Sequence, residues 1–484
     1  LYFVSRPRRF GKSLMLSTLK YLFQGRRDLF KGLAIDSLDY DWAEYPVISL
    51  DFYTTIAPTL ETFEANLRVL VREALLATGA DWDDAATPEA NFGMAIETLA
   101  KRRGKPVVVL IDEYDAPVSH ALDDIPRANA VRERLSAIYA QLKARAANIR
   151  FMMMTGVTKF TQLSVFSALN NLNDLTLQPE AATLLGYTEE ELDTFFGEHL
   201  RAHTQVMGLS DEDYRAQLRW WYNGYRFSPR SETKVYNPVA IGRALSRKCS
   251  YFEPTWSETG HSSALMKYLA AHPLTARDYE RIPDVTRAVF DVYDLDKIGA
   301  LTFLYQAGYL TIKDFDPIGG YTLGIPDEDV RQDLNQILVD QALQGDTDLG
   351  WNKARIALLK YDFPTFFACL ESFYARLTYG AKEGRVGEAS YQRSLFVLLT
   401  AGGLRAVSED TQAQGRADLV ADAFGRVFIF ELKVGGTAEE ALAQARARRY
   451  DLPYLATAQT IHRIGLAFDP ETHHLIDSAV ESVK

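Results

Sequence analysis

Ser5-Arg6-Pro7-Arg8-Arg9-Phe10-Gly11-Lys12-Ser13 lies between a short apolar run, Leu1–Val4, and a segment of helical periodicity from about Lys12 to Phe23. A strand, a tight loop and a helix opening on Gly-Lys-Ser form an anion site, because unpaired backbone N–H groups and the helix dipole both favour negative charge there. In this reading Lys12 reaches the β- and γ-phosphates and the Ser13 hydroxyl takes Mg²⁺. Arg8, Arg9, Phe10, Gly11 and Leu14 complete the nucleotide-binding stretch. The general pattern has a glycine five residues before the Gly of Gly-Lys-Ser, and Arg6 stands there instead. The loop is therefore expected to be stiffer and more basic than usual. Taken alone, the triplet can also arise by chance.

Moving outward, Pro106–Asp112 (PVVVLID) is a continuous apolar run, the pattern of a strand buried on both faces of a parallel sheet. It ends in Asp112-Glu113. An acid at a strand's C-terminal end suits Mg²⁺ held through water, and Glu113 suits orientation of an attacking water as the catalytic carboxylate. Tyr45–Phe52 (YPVISLDF) and Ile149–Val157 (IRFMMMTGV) read as further strands, and residues 61–78 and 126–146 as helices. Strands alternating with helices predict an α/β parallel sheet. Thr155 and Thr158 follow the last of these strands. They read either as γ-phosphate sensors or as ordinary strand-end hydroxyls. Asp51, at another strand end, reads as a local hydrogen-bond acceptor.

Bulk properties set the frame. The chain has 484 residues, so two or three domains are expected. Its 47% hydrophobic and 24% charged residues are those of an ordinary globular protein. Two distant cysteines exclude a disulfide framework and a cysteine-based zinc site, and they fit a reducing cytoplasm. No apolar run is long enough to span a membrane. The chain opens on Leu1 without Met, in what reads as a strand, so a preceding segment is expected. A net charge of −11 argues against broad coating of nucleic acid. Local basic clusters at Arg6/Arg8/Arg9 and Arg446/Arg448/Arg449 leave room for a groove, or for solvated helix faces.

The texture changes near residue 180. Thr188 followed by Glu191 is a capping box opening a mostly helical, aromatic-rich region to about 350. A hairpin is expected within 300–330, and 290–345 reads either as a winged helix or as a plain helical lid. Helices are expected over 351–380. The expected division is an ATPase core over 1–180, a lid over 181–350, a connector over 351–385 and a last α/β domain over 386–484.

That last domain runs helix, strand, strand, strand, helix, strand. Gly415–Val420 and Phe428–Lys433 flank a turn at Phe424-Gly425, which predicts a hairpin. With the turn centred there, Asp418 faces Glu431, with Cβ atoms about 4.5–5.5 Å apart. Two like charges placed opposite each other need an offset, and a divalent cation is the natural one. Glu431 and Lys433 share a face of their strand. Asp…Glu-x-Lys is the core constellation of PD-(D/E)XK nucleases. In it the carboxylates take Mg²⁺ or Mn²⁺, the metal polarises the scissile phosphate and activates water, and the lysine positions that water or steadies developing charge. Glu388, on the preceding helix, suits an additional metal-binding acid. Gln444 and Tyr450, on or near the helix from Ala438 to Arg449, suit supporting roles.

These motifs carry a resemblance. SRPRRFGKSL (5–14), VLIDEYDAP (109–117), Thr155-Gly156, WYNGYRF (221–227) and the Tyr236-Asn237-Pro238 turn resemble a large bacterial family with an AAA-ATPase-like domain, including its arginine in place of the first loop glycine. GRADLV (415–420), IFELK (429–433) and AEEALAQARARRY (438–450) resemble the nuclease-like domain that usually follows in that family; Ala417 stands where the PD name suggests proline. The resemblance implies ATP and Mg²⁺ at the first site, Mg²⁺ or Mn²⁺ at the second, and DNA or RNA as partner. Two functions are compatible with it: a nucleotide-controlled nuclease, or a nucleotide-dependent switch whose nuclease-like domain only binds nucleic acid or a partner. A homo-oligomer in which Arg8 or Arg9 serves a neighbour's nucleotide is a further expectation.

Overall fold

In the computed structural model, the described residues are 1–160, 172–246, 252, 254–256, 281–291, 298–342, 351–377, 388–401, 404–412, 415–423, 425–472 and 474–484. They form two compact units, one holding the described residues up to Asp329 and the other those from Val330 onward.

The first unit is built on a parallel sheet. Its strands are β1 (Tyr2–Ser5), β2 (Val47–Asp51), β3 (Val107–Asp112), β4 (Ile149–Gly156) and β5 (Asn173–Asp174), in the order β2-β3-β4-β1-β5. Every residue of β3 is buried, as its unbroken apolar run requires. Alternate side chains serve two cores. Val107, Val109 and Ile111 pack with Phe63, Leu67 and Val71 of α2 (Leu60–Leu76) and with Leu135 and Ile138 of α5 (Ile125–Ala144). Val108 and Leu110 pack with Leu16 and Phe23 of α1 (Lys12–Phe23). Each such side chain taken out of water contributes about 1.5–3 kcal/mol.

The helix starts follow local chemistry. The Thr59 hydroxyl accepts from Thr62 N at 3.2 Å to cap α2. Asp124 Oδ1 accepts from Arg127 N at 3.1 Å to cap α5, with Pro126 in the first turn. One helix, α3 (Pro88–Arg103), is absent from the sequence expectation. Asn91 and Gly93 interrupt its apolar stripe; Asn91 is buried because its amide donates to Asp83 O, and Gly93 lies under the Arg145 guanidinium. A fourth helix, α4 (Ala116–His120), directly follows the acid motif.

Beyond residue 180 the capping box is present: Thr188 Oγ1 accepts from Glu191 N at 3.2 Å and Glu191 Oε2 accepts from Thr188 N at 2.9 Å. The helices Glu189–Met207, Asp211–Tyr222 and Pro238–Ser246 share an aromatic-rich core around Tyr214, Tyr222 and Tyr236. The expected hairpin is Thr311–Asp316 paired with Gly320–Gly324, and Ile282–Val285 adds a third antiparallel strand beside the second.

In the second unit, helices Trp351–Leu359 and Phe363–Leu377 precede the helix Glu388–Ala401 and a five-stranded mixed sheet. Its strands, in spatial order, are Arg405–Gln412, Gly415–Ala423, Arg426–Val434, Thr460–Phe468 and Leu475–Ser482. The third and fourth run parallel, joined through the helix Ala438–Ala447; the other pairs are antiparallel. The final edge strand is additional to the sequence expectation. No helix among the described residues is long and apolar enough to cross a membrane.

One buried group is expected to give this unit an acid-dependent stability. His462 stacks on Phe428, with centroids 5.8 Å apart and planes at 16°, beside Tyr361 and Phe363. Neither ring nitrogen has a hydrogen-bond partner. Burial lowers its pKa below the ordinary 6.5. The unfolded chain then takes up the proton first, so stability is full above about pH 6.5 and falls as pH drops toward the lowered folded value. His462→Phe is expected to flatten the fall in melting temperature between pH 7.5 and 5.5; an unchanged slope would place the acid sensitivity elsewhere.

Candidate nucleotide and metal sites

At the first site the loop leaves β1 beside β4, with Arg6 N donating to Gly156 O at 3.1 Å. Arg6 then turns inward. Its guanidinium donates to Ser5 O at 2.9 Å, Thr176 O at 2.8 Å and Ala181 O at 2.8 Å, and lies 4.2 Å over the Phe227 ring. Burial pushes its pKa down to about 10. The residue in place of the first loop glycine is thus an anchor for the loop. Its charge is withdrawn from the surface, so the first basic cluster presents Arg8, which is exposed, and half-buried Arg9. Arg9 donates to Thr255 O at 2.9 Å and lies 5.7 Å over Trp256.

Two left-handed residues, Arg9 at φ 69° and Gly11 at φ 89°, bend the chain into α1. A Cβ at Gly11 would meet nothing, so it is backbone conformation that calls for glycine there. Phe10 is buried edge-on against Tyr225 and Phe227, at 4.8 and 5.0 Å. Its side chain belongs to the core, which leaves only its backbone for a nucleotide. Leu14 is 71% exposed and Ser13 is exposed on the first turn of α1. Lys12 is buried; its Nζ donates to Arg6 O at 3.2 Å and Pro7 O at 3.3 Å and stands 3.5 Å from Glu113 Oε1. The helix N-terminus has no side-chain cap.

The acids converge from the neighbouring strands. Asp112 pairs in register with Asp51, and its Oδ1 accepts from Thr155 Oγ1 at 2.5 Å. Thr155 is fully buried, so its hydroxyl is committed to Asp112. Glu113 follows at φ 50°, at the mouth of the site. Asp51 caps its own turn, accepting from Tyr53 N at 3.0 Å, and its pKa is raised by burial, with the charges of Asp112 and Glu113 adding to the shift. Asp112 and Glu113 lie beside one buried lysine, and a hard divalent cation would offset their charge. The structure therefore brings Lys12, Ser13, Asp112, Glu113 and Thr155 to the C-terminal edge of β1, β3 and β4, the side on which open α/β sheets bind ligands.

At the second site the hairpin register is the expected one. Ala423 pairs with Arg426 and Leu419 with Phe430, around Gly425 at φ 76°. The ladder stops one pair short of Asp418 and Glu431. There Asp418 Oδ2 instead accepts from Leu432 N at 2.8 Å. Glu431 is fully buried, with Gln444 Nε2 donating to its Oε1 and Lys433 Nζ 3.5 Å away. Its Oε2 is buried with no hydrogen-bond partner. Burial first, then the charge of Asp418, push its pKa up to about 7, while Lys433 pulls the other way. Tyr450 is buried below, its pKa raised by burial and by Glu431, with Gln444 hydrogen-bonded to it.

Glu388 is largely exposed, and partial desolvation followed by the charge of Asp418 raises its pKa. Among the described residues, no three His, Cys, Asp or Glu side chains gather closely enough to hold a metal, so Glu388 does not complete a set with Asp418 and Glu431. An orphaned buried carboxylate oxygen beside a second acid nonetheless fits a hard divalent cation. Gln392, four residues after Glu388 on the same helix face, donates through its amide to Asp418 O. The sequence reading passed over it, although the i, i+4 spacing from Glu388 is a signal. In the other arginine cluster, Arg446 pairs with Glu439 at 2.9 Å and Glu481 at 3.0 Å.

Both halves have counterparts among known proteins. Residues 1–166 match the model of a predicted AAA-ATPase, and residues 386–478 match the PD-(D/E)XK nuclease superfamily. An uncharacterized protein from the vnfD 5' region of Azotobacter chroococcum mcd 1 is 32% identical over 496 residues, covering 100% of this chain and 92% of that one. The chain belongs to this family of predicted AAA-ATPases with a PD-(D/E)XK nuclease-superfamily domain at the C-terminus. Among solved structures, the ORC2 protein of Aeropyrum pernix (ADPNP–ADP complexes) is similar at 11% identity over 70% of this chain and 86% of that one, with a TM-score of 0.24. So low a score adds nothing to the reading of the fold. Membership in the nuclease superfamily does not by itself imply cleavage, since the superfamily includes inactive members.

Proposed function

We propose that the chain binds and hydrolyses ATP at its first site, and that the nucleotide state controls a metal-dependent nuclease acting on DNA or RNA. The observation that carries the reading is the buried Glu431 carboxylate, whose Oε2 has no partner in a domain of nuclease-superfamily type. A bound metal ion would satisfy that atom.

At the first site Lys12 holds the β- and γ-phosphates, and the N–H groups of Gly11 to Ser13 cradle them. Ser13 and Asp112 would hold Mg²⁺, which would supply charge to offset the phosphates. Glu113 orients the attacking water. At the second site Asp418 and Glu431 would hold Mg²⁺ or Mn²⁺, which would supply Lewis-acid chemistry toward the scissile phosphate and a water. Lys433 steadies charge on the phosphate, Gln444 and Tyr450 fix Glu431, and Gln392 fixes Asp418.

The failure of Glu388 to join a three-acid set favours a second reading, in which the nuclease-like domain binds nucleic acid or a partner without cutting. Assays on single- and double-stranded DNA and RNA, with Mg²⁺ or Mn²⁺, with and without ATP, separate the two. ATP hydrolysis without cleavage of any substrate would replace the nuclease with the switch.

A further inference from the structure

Two residues past the acid motif, Asp115 is almost fully buried on the structural side of the first site. Its carboxylate accepts from Val157 N at 3.1 and 3.2 Å and from Thr158 N at 2.6 Å. Those are the N–H groups of the turn directly after Thr155-Gly156. The residue between the acid and this carboxylate reinforces the same turn. Tyr114 N donates to Thr155 O at 3.1 Å, its hydroxyl donates to Thr158 O at 2.8 Å, and the same hydroxyl accepts from Phe160 N at 3.0 Å. The approach is so close that a Cβ on Gly156 would come within 2.4 Å of Asp115 Oδ1. Glycine is required there for contact with the carboxylate, and not for a left-handed backbone.

An aspartate of this kind is more than a helix cap. It holds its own loop, which carries Asp112 and Glu113, against the turn that carries Thr155, whose hydroxyl sits on Asp112 at 2.5 Å. A charged acceptor taking two backbone N–H groups makes short, strong hydrogen bonds and fixes both partners. We infer that Asp115 is a positioning residue for ATP hydrolysis: by clamping the Val157–Thr158 turn it keeps Thr155 on Asp112 and Glu113 in its left-handed pose over the phosphate loop. The inference rests on the hydrolysis proposed above. Asp115 makes no hydrogen bond to Lys12 or Ser13 among the described residues, and only the charge of Lys12 reaches it, so its loss is expected to lower turnover more than nucleotide affinity.

The test compares wild type, Asp115→Asn, Asp115→Ala and Lys12→Ala in the full chain, with Mg-ATP. Asp115→Ala is expected to lower kcat on the order of 10- to 100-fold, the range for a small misplacement of catalytic groups, with KM within about twofold. Asp115→Asn keeps one acceptor oxygen and should recover part of kcat. A kcat within about twofold of wild type in both variants overturns the inference, as does a rise in KM alone. Amide hydrogen exchange at Val157 and Thr158 provides a readout independent of turnover and of whether Asp115→Ala folds well. Protection there should be lost in Asp115→Ala and only reduced in Asp115→Asn, while β3 and β4 stay protected; full protection retained in Asp115→Ala overturns the clamp. If wild type hydrolyses no ATP, the proposed hydrolysis has failed by itself, and the exchange data still decide whether Asp115 holds the turn.

Discussion

Lys12→Ala is expected to weaken ATP binding on the order of 100-fold or more and to bring hydrolysis to background. The lysine supplies the buried cation of the loop: Arg6 is spent on Ser5, Thr176 and Ala181 carbonyls, Arg9 is engaged with Thr255, and Arg8 is exposed. Lys12 Nζ rests on the Arg6 and Pro7 carbonyls and near Glu113, contacts that phosphate oxygens can replace. Losing several charge-assisted contacts to phosphate, each about 1.5–3 kcal/mol, gives an effect of that size. The fold should persist, because the sheet and the Arg6 anchor do not depend on the lysine. Calorimetric titration with Mg-ATP and a thermal melt check both halves; normal ATP affinity in the variant would remove the phosphate-loop assignment.

Glu431→Ala is the second large effect. It removes the buried ligand oxygen, and cleavage dependent on Mg²⁺ or Mn²⁺ should fall to background, as it should for Lys433→Ala. Cleavage unaltered by both would point to another site or a contaminant. The raised Glu431 carboxyl adds a pH signature. With its pKa near 7 rather than the ordinary 4.5, the metal-free carboxyl still carries much of its proton at neutral pH. A raised carboxyl stabilises the fold below its unfolded value, and that contribution is lost as pH rises through the folded value. Metal binding requires the ionised form, so Mn²⁺ affinity should weaken as pH falls below 7, with a proton released on binding. Titration calorimetry in two buffers of different ionisation enthalpy reads that proton directly, and Glu431→Gln should abolish it.

Much of this was legible in the residues. The apolar run Val107–Ile111 could only be a strand covered on both faces, and the hairpin register followed from one turn at Gly425. What the sequence concealed was direction. Arg6 and Phe10 look like part of a phosphate loop, yet both side chains face the core, because Phe227 and Tyr225 arrive from more than 200 residues away. Thr155, which reads either as a phosphate sensor or as a strand-end hydroxyl, has its hydroxyl on Asp112, a pairing across strands that its own neighbours do not announce. Glu388 fits the acid pattern by order along the chain and feels the charge of Asp418, yet among the described residues no three-acid group forms. The α3 helix was missed for a related reason: Asn91 and Gly93 are explained only by their tertiary partners, Asp83 and Arg145.

The central claim is that nucleotide at the first site governs chemistry at the second. It is tested most directly by cleavage of single- and double-stranded DNA and RNA in Mg²⁺ or Mn²⁺, with and without ATP, using wild type and Lys12→Ala side by side. The expected result is metal-dependent cleavage whose rate changes with ATP in wild type and is indifferent to ATP in Lys12→Ala. Cleavage by wild type at one rate with and without ATP would contradict it.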